Sequence, residues 1–192
     1  MVYYLYIPFL PMQEVPNMQF SRIQSIDNPL FAPFWSLMEQ SFPLWERRAK
    51  AEQLLLLRQP DYHCEALLHD GQFAGLLCWW QLAQTAYLEH LAILPALRGQ
   101  SLGGQAVGLL QSVCPSIVLE IDPPVDSISR RRLGFYQRLG FILSDYDYRQ
   151  TAYRVGMDNV PLRLLSWPQA LIEPAQFETL LHQTLAPFVS PG

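Results

Sequence analysis

The sequence predicts an α/β domain around a mixed sheet, antiparallel in its first half and crossing over helices in its second. Three features carry that reading. Tyr62–His69 and Gln72–Gln81 flank an Asp70-Gly71 dipeptide, which tolerates the positive φ of a tight hairpin turn. Ser101–Val113 and Ser127–Leu139 carry apolar residues at helical spacing. Between them Ser116–Ile121 is a short apolar run, as central strands buried on both faces are.

The elements follow in order. Gln19–Ile23 alternates polar and apolar residues and suits a first strand. Asn28 and Pro29 read as an N-cap and first helical position. Phe31, Phe34, Trp35, Met38 and Phe42 then put an aromatic face on a helix that Pro43 ends. A second helix is predicted over about Trp45–Arg58, with Ala51, Leu54 and Leu55 inward and Glu46, Arg47 and Arg48 on its wet side. The hairpin comes next, then a strand at Ala86–Leu94. Ser101–Val113 presents Leu102, Ala106, Leu109, Leu110 and Val113 on one face, and Gly140 stops the following helix as a C-cap glycine. Phe141–Ser144 opens the next strand and Pro161–Trp167 is the last. Glu173–Leu185 reads as a terminal helix with Phe177, Leu180, Leu181 and Leu185 inward. The domain is placed at residues 18–168, with an apolar, aromatic arm at 1–17 and a helical extension at 169–192 packed on it.

Composition bounds the function. A chain of 192 residues buries enough surface to hold a core without disulfides or structural metal. Half of it is apolar and 16% is charged, which excludes wholesale disorder. Thirteen basic against 17 acidic residues leave a net charge of −4, and Lys50 is the only lysine, so a nucleic-acid partner is not expected. The strongest apolar run, Ala74–Trp80, is far short of the ~18 residues a spanning helix needs, and no basic residue precedes Arg22 as a signal peptide requires. Cys64, Cys78 and Cys114 sit in apolar surroundings and are expected to be buried free thiols in a reducing cytoplasm. No His and Cys spacing suits a metal, so none is expected.

Chemistry concentrates in Tyr87–Gly104, YLEHLAILPALRGQSLGG. A strand runs into Pro95, and the loop Arg98-Gly99-Gln100-Ser101-Leu102-Gly103-Gly104 opens a helix. Small residues at a helix start let backbone N–H groups converge on an anion, so the loop is either a phosphate cradle or an ordinary turn. A Walker loop is excluded because Gln105 follows Gly104, and the glycine spacing does not make a dinucleotide fingerprint.

A second segment, Leu119–Phe141, reads LEIDPPVDSISRRRLGFYQRLGF. Together the two resemble the GNAT-type N-acetyltransferases. Leu91-Ala92-Ile93, Pro95, Arg98 and Gly103 match that family's acetyl-CoA motif, Q/R-x-x-G-x-G/A after a strand. Tyr136 through Phe141 matches its Tyr-x-x-L-G-F helix-to-strand signature. The likeness covers about Gln19–Trp167, and EHLAI, EIDPP, the arginine run and Tyr148–Tyr153 are similar to one group of small bacterial members.

The resemblance implies an acyl-CoA N-acyltransferase-like fold: a mostly antiparallel sheet flanked by helices, with one strand pair splayed to admit the pantetheine arm. Leu91, Ala92 and Ile93 would then face the thioester oxygen with backbone amides, and Arg98–Gly104 would hold the pyrophosphate of acetyl-CoA. Ser129, seven residues before Tyr136, stands where the family commonly has a cofactor-contacting asparagine. Ser101 replaces a usual glycine; it is strained if the position needs positive φ and suited if it is an N-cap. Tyr136 is implied as the general acid for the leaving sulfur. Glu89 and Glu120, on the two splayed strands, are the alternative general bases, each otherwise an ordinary strand glutamate. His90, alternating in direction from Glu89, is expected to be a packed histidine. Arg130, Arg131 and Arg132 are either anion contacts or a solvated face, and Phe34-Trp35 and Trp79-Trp80 either pocket walls or core.

The expected activity is direct transfer of acetyl from acetyl-CoA to a primary amine, on a small molecule or a peptide, by a cytoplasmic monomer or homodimer with no membrane partner. Glu89, Glu120 and Asp122 favour a cationic acceptor. The alternatives are a non-catalytic CoA-binding or interaction module on the same fold, or a nucleotide in the phosphate loop.

Overall fold

The computed structural model describes residues 18–150 and 152–189; the predicted arm at 1–17 lies outside them. β1 (Met18–Arg22) is followed by α1 (Phe31–Ser41) and α2 (Lys50–Leu56), then by the meander β2 (Tyr62–His69), β3 (Gln72–Leu82) and β4 (Thr85–Ile93). α3 (Leu102–Val113) leads to β5 (Ile117–Ile121), and α4 (Ser127–Arg138) to β6 (Ile142–Leu143) and β7 (Tyr148–Gln150). β8 (Val160–Trp167) and α5 (Pro174–Leu185) follow. The strands stand in the order β1-β2-β3-β4-β5-β8-β6, with β7 also paired to β8. Of the pairs, β4–β5 is parallel and the others are antiparallel. This is the mixed, mostly antiparallel α/β sheet that the sequence predicts, with β7 as an unforeseen short strand.

The sheet separates two cores. On one face α1, α2 and α5 bring Phe34, Trp35, Leu56, Phe177 and Leu181 against Tyr62, Trp80 and Tyr87. On the other, Ala106, Val107 and Leu110 of α3 and Leu133, Phe135 and Tyr136 of α4 pack on Leu77, Leu88 and Leu119. The hairpin turn is as predicted, with φ of 50° at Asp70 and 75° at Gly71. Phe34 and Trp35, and Trp79 and Trp80, are core residues rather than pocket walls. All three cysteines are buried and free.

Two helix predictions are corrected. α1 begins at Phe31, because the Asn28 side chain accepts from the Leu30 amide in a turn ahead of the helix. The helix predicted from Trp45 is instead a 3-10 turn at Leu44–Glu46, an extended passage through Arg47 and Ala49, and the short α2. Arg48 lies in that passage, buried rather than on a wet face. A helix through 47–49 would satisfy local propensity, but the extended chain delivers the guanidinium to a buried partner in the sheet, and that interaction overrides propensity.

The β3–β4 ladder contains one irregularity. Trp79 pairs with Leu88 but Cys78 pairs with His90, so Glu89 is an extra residue in β4. β4 and β5 share only the rungs Ala86–Ile117, Tyr87–Val118 and Leu88–Leu119, and from Glu89 onward they diverge. The Leu94 amide donates to the Ala74 carbonyl on the β3 side. By antiparallel alternation the Ala92 amide also turns to β3, and those of Leu91 and Ile93 turn toward the gap that β5 has left.

Gly75 faces Ile93 at this end of β4, and a Cβ there would lie 2.3 Å from the Ala92 carbonyl oxygen. No flexible group can yield, since the obstacle is backbone. Gly75→Ala is expected to lower stability by about 1–3 kcal/mol, read by denaturant melts.

Candidate active site

The extra residue in β4 decides where the polar side chains go. Without it Glu89 and His90 would point to opposite faces. With it both project to the face that carries α1, alongside Glu120 of β5, and all three line one cavity. The predicted alternation of His90 away from Glu89 is therefore corrected. His90 is buried as expected, edge-on to Phe42 at 4.6 Å, with Nε2 2.8 Å from the Glu46 carbonyl.

The two glutamates occupy opposite environments. Glu89 is wholly buried and receives Arg48 Nη1 at 2.8 Å and the Tyr153 hydroxyl at 3.2 Å. Burial pushes its pKa up, but the Arg48 charge and the hydrogen bonds outweigh this and hold it down to about 2. Burial likewise opposes charge on His90, while Cys78 and Glu89 lift its pKa to about 10. Glu120 has no cationic partner; Tyr148 and Gln150 donate to its two oxygens. There burial outweighs the hydrogen bonds and lifts the carboxyl to about 7.

The rest of the cavity, about 190 Å³, is formed by Phe42, Trp45, Glu46, Ile121, Asp122, Arg132, Gln150, Tyr153, Val160 and Leu162. Arg132 is closed on Asp122 at 2.6 Å. Arg130 and Arg131 bond to carbonyls of their own turn, which leaves Arg132 as the member of that run that reaches the cavity.

On the opposite face a groove of about 470 Å³ is lined by Ile93, Leu97, Arg98, Gly99, Ser101, Leu102, Gly103 and Gly104, with Phe135, Arg138 and Leu139 of α4. Ser101 is at once the cap position of α3 and left-handed, with φ of 61°, and its side chain caps no amide. The Leu102, Gly103 and Gly104 amides precede the first intrahelical bond, which Gln105 makes to Ser101. They are free for an anion at the positive end of the helix dipole, with Arg98 and Arg138 beside them. Arg98 Nε also bonds the Ile93 carbonyl at 3.1 Å, tying the loop to the end of β4. Leu91, Ala92 and Gln100 do not line the groove.

Tyr136 packs between Phe135 and Phe141 on the α4 face, so it does not share a cavity with the glutamates. Burial raises its pKa to about 12. Ser129 is not brought to the groove. It is buried in a capping box, receiving the Asp126 amide at 3.1 Å while its own amide donates to the Asp126 carboxylate.

Sequence reasoning missed Arg48, Tyr153, Tyr148, Gln150 and Arg138. Tyr148 and Gln150 are two apart and share a strand face, a signal that was available. Phe135, Arg138 and Leu139 likewise stand at i, i+3 and i+4 on α4. Arg48 carries no local signal, since its partner is 41 residues away. Among the described residues, no group of His, Cys, Asp and Glu is placed to hold a metal and no helix is long and apolar enough to cross a membrane.

A parallel strand pair that opens after three rungs, beside a glycine-rich helix start with free amides, defines the acyl-CoA N-acyltransferase class of fold. Residues 30–141, more than half of the chain, match the profile of the Acetyltransferase (GNAT) family, and the chain belongs to that family. It is 30% identical over 112 residues to "Putative acetyltransferase YjbC" of Bacillus subtilis (strain 168), a match spanning 56% of each protein. The structure of a GNAT-family "Putative acetyltransferase" from Bacteroides thetaiotaomicron superposes with a TM-score of 0.83 at 29% identity, over 87% of this chain and 97% of that one. A GNAT family acetyltransferase from Elizabethkingia anophelis, solved with acetyl-CoA bound, shares the fold at a TM-score of 0.55 and 14% identity, over 80% of this chain and 99% of that one.

The Arg48–Glu89 pair is buried on both sides, with side-chain exposures of 1% and 0%. Removing one partner strands a buried charge. Arg48→Met is expected to cost about 3–5 kcal/mol of stability, and Arg48→Met with Glu89→Gln to recover most of it, measured by chemical denaturation of both variants.

Proposed function

We propose that this protein transfers acetyl from acetyl-CoA directly to a primary amine, with Glu120 as general base and Tyr136 as general acid. The observation that carries the reading is the end of β4–β5 pairing after Leu88, with the amide-rich groove on one face of the sheet and the carboxylate-lined cavity on the other. Acetyl-CoA supplies the acyl group as an activated thioester. The Leu102, Gly103 and Gly104 amides with Arg98 and Arg138 would hold its diphosphate, and the Leu91 and Ile93 amides would face the thioester oxygen, where negative charge develops.

Glu120 suits the base better than Glu89. A carboxyl near 7 takes a proton at neutral pH and gives it up again, whereas Glu89 is held ionised by Arg48 and is too weak a base. Glu120 would accept one proton from the acceptor ammonium, directly or through water. The freed nitrogen bonds to the acetyl carbon as the carbon–sulfur bond breaks. Tyr136, kept protonated by burial, would give its phenolic proton to the departing sulfur and regain one as the new amide nitrogen loses its second. The products are the N-acetyl amide, CoA thiol and one proton. Glu89 with Arg48 and Tyr153 keeps the cavity wall fixed without joining the transfer.

Calorimetry with acetyl-CoA, together with CoA-thiol release over a panel of amines, tests the reading. Binding with no turnover on any amine would favour the non-catalytic module. Tyr136→Phe is expected to lower kcat about 10²-fold while acetyl-CoA affinity changes little. In the parent protein kcat/KM should rise with pH through about 7 as Glu120, facing Tyr148, Gln150, Tyr87 and Glu89, loses its proton. Glu120→Gln should lower kcat/KM about 10²-fold and abolish that rise; a limb near 7 that survives would move the base elsewhere.

A further inference from the structure

The charges lining the acceptor-side cavity largely cancel. Asp122 is closed on Arg132 at 2.6 Å and Glu89 on Arg48 at 2.8 Å. Among the described residues no ion pair closes on Glu46 or Glu120. Burial and the Asp122 charge raise the Glu46 carboxyl, although Arg132 and His90 pull it the other way. Glu89 Oε2 in turn lies 3.6 Å from His90 Nδ1, so Glu89 is closed on both sides and leaves Glu46 and Glu120 as the carboxylates facing the cavity.

The apolar part of the wall is Phe42, Trp45, Ile121, Val160 and Leu162, beside the polar Gln150 and Tyr153. Trp45 and Val160 line the cavity yet are 56% and 38% exposed, so they form an apolar lip. The volume of about 190 Å³ is comparable to the ~150 Å³ of an apolar cavity that takes up benzene. Beyond Glu46 and Glu120 the lining carboxylates are already paired, so a second ammonium would find no open partner there, and a carboxylate on the acceptor would meet Glu46 or Glu120.

Resting on the transferase reading above, we infer that the acceptor is a lipophilic monoamine, with one ammonium on an apolar body the size of a single ring or a short branched alkyl chain. The body lies against Trp45 and Val160, and the ammonium points to Glu46 and Glu120. Glu46 and Trp45 are specificity residues and take no part in proton transfer.

The test is steady-state turnover of the full chain at saturating acetyl-CoA with 2-phenylethylamine, isoamylamine, putrescine, phenylalanine and a tetrapeptide bearing a free N-terminus. The two lipophilic monoamines are expected to exceed the other three in kcat/KM by about tenfold or more. Trp45→Ala, at an exposed position, is expected to raise KM for 2-phenylethylamine about tenfold, and Glu46→Gln to raise it as well, with acetyl-CoA affinity by calorimetry unchanged in both. Equal rates across the panel, or preference for putrescine, phenylalanine or the peptide, overturn this inference and leave the transferase reading standing. Acetyl-CoA binding with no amine acetylated overturns both.

Discussion

One extra residue in β4 sets the geometry from which the rest follows. Because Cys78 pairs with His90 while Trp79 pairs with Leu88, the side-chain parity of β4 reverses at Glu89. Before the reversal Ala86 and Leu88 feed the core under α3, and Tyr87 the core under α1. After it His90 joins Glu89 on the α1 face, and backbone amides that would have continued the ladder to β5 turn into open space. A regular strand would have kept pairing with β5 and closed the gap. The bulge therefore produces at once the cleft, the free amides beside it and the paired acid and imidazole in its wall.

That arrangement places carboxylates where water is scarce, and the protein treats the two main ones differently. Glu89 is compensated by a guanidinium and a phenol, so its charge is retained and the wall is rigid. Glu120 is given neutral donors only. A carboxyl whose folded pKa is lifted from 4.5 to about 7 binds more protons folded than unfolded between those values. Glu120 thus weakens the fold progressively as pH rises through that window, and stability is restored as pH falls below it. Environment drives the two carboxyls apart, one held ionised and one titrating near neutrality.

Much of the fold was readable because short-range chemistry and long-range packing agree there. The Asp70-Gly71 hairpin, the α3 and α4 periodicities and the apolar β5 are each local statements that the tertiary structure repeats. The passage from Trp45 to Ala49 was misread because its conformation is imposed from elsewhere: Arg48 meets Glu89 across 41 positions of sequence. The two glutamates could be named from the strands that bear them, but choosing between them needed their partners. Tyr148, Gln150, Tyr153 and Arg48 arrive from segments whose spacing says nothing of β4 or β5. His90 was given the wrong direction for a related reason, since a bulge is invisible to a period-two argument.

The two faces of the sheet also divide the chemical labour. The α3–α4 side offers what a polyanion needs: free amides, the positive end of a helix and two arginines. The α1 side carries the carboxyls of Glu46 and Glu120, on which no ion pair closes among the described residues, beside Phe42 and Trp45. Arg132 stands between the two faces, its charge opposing the rise that burial gives the Tyr136 pKa while Asp122 holds it at 2.6 Å.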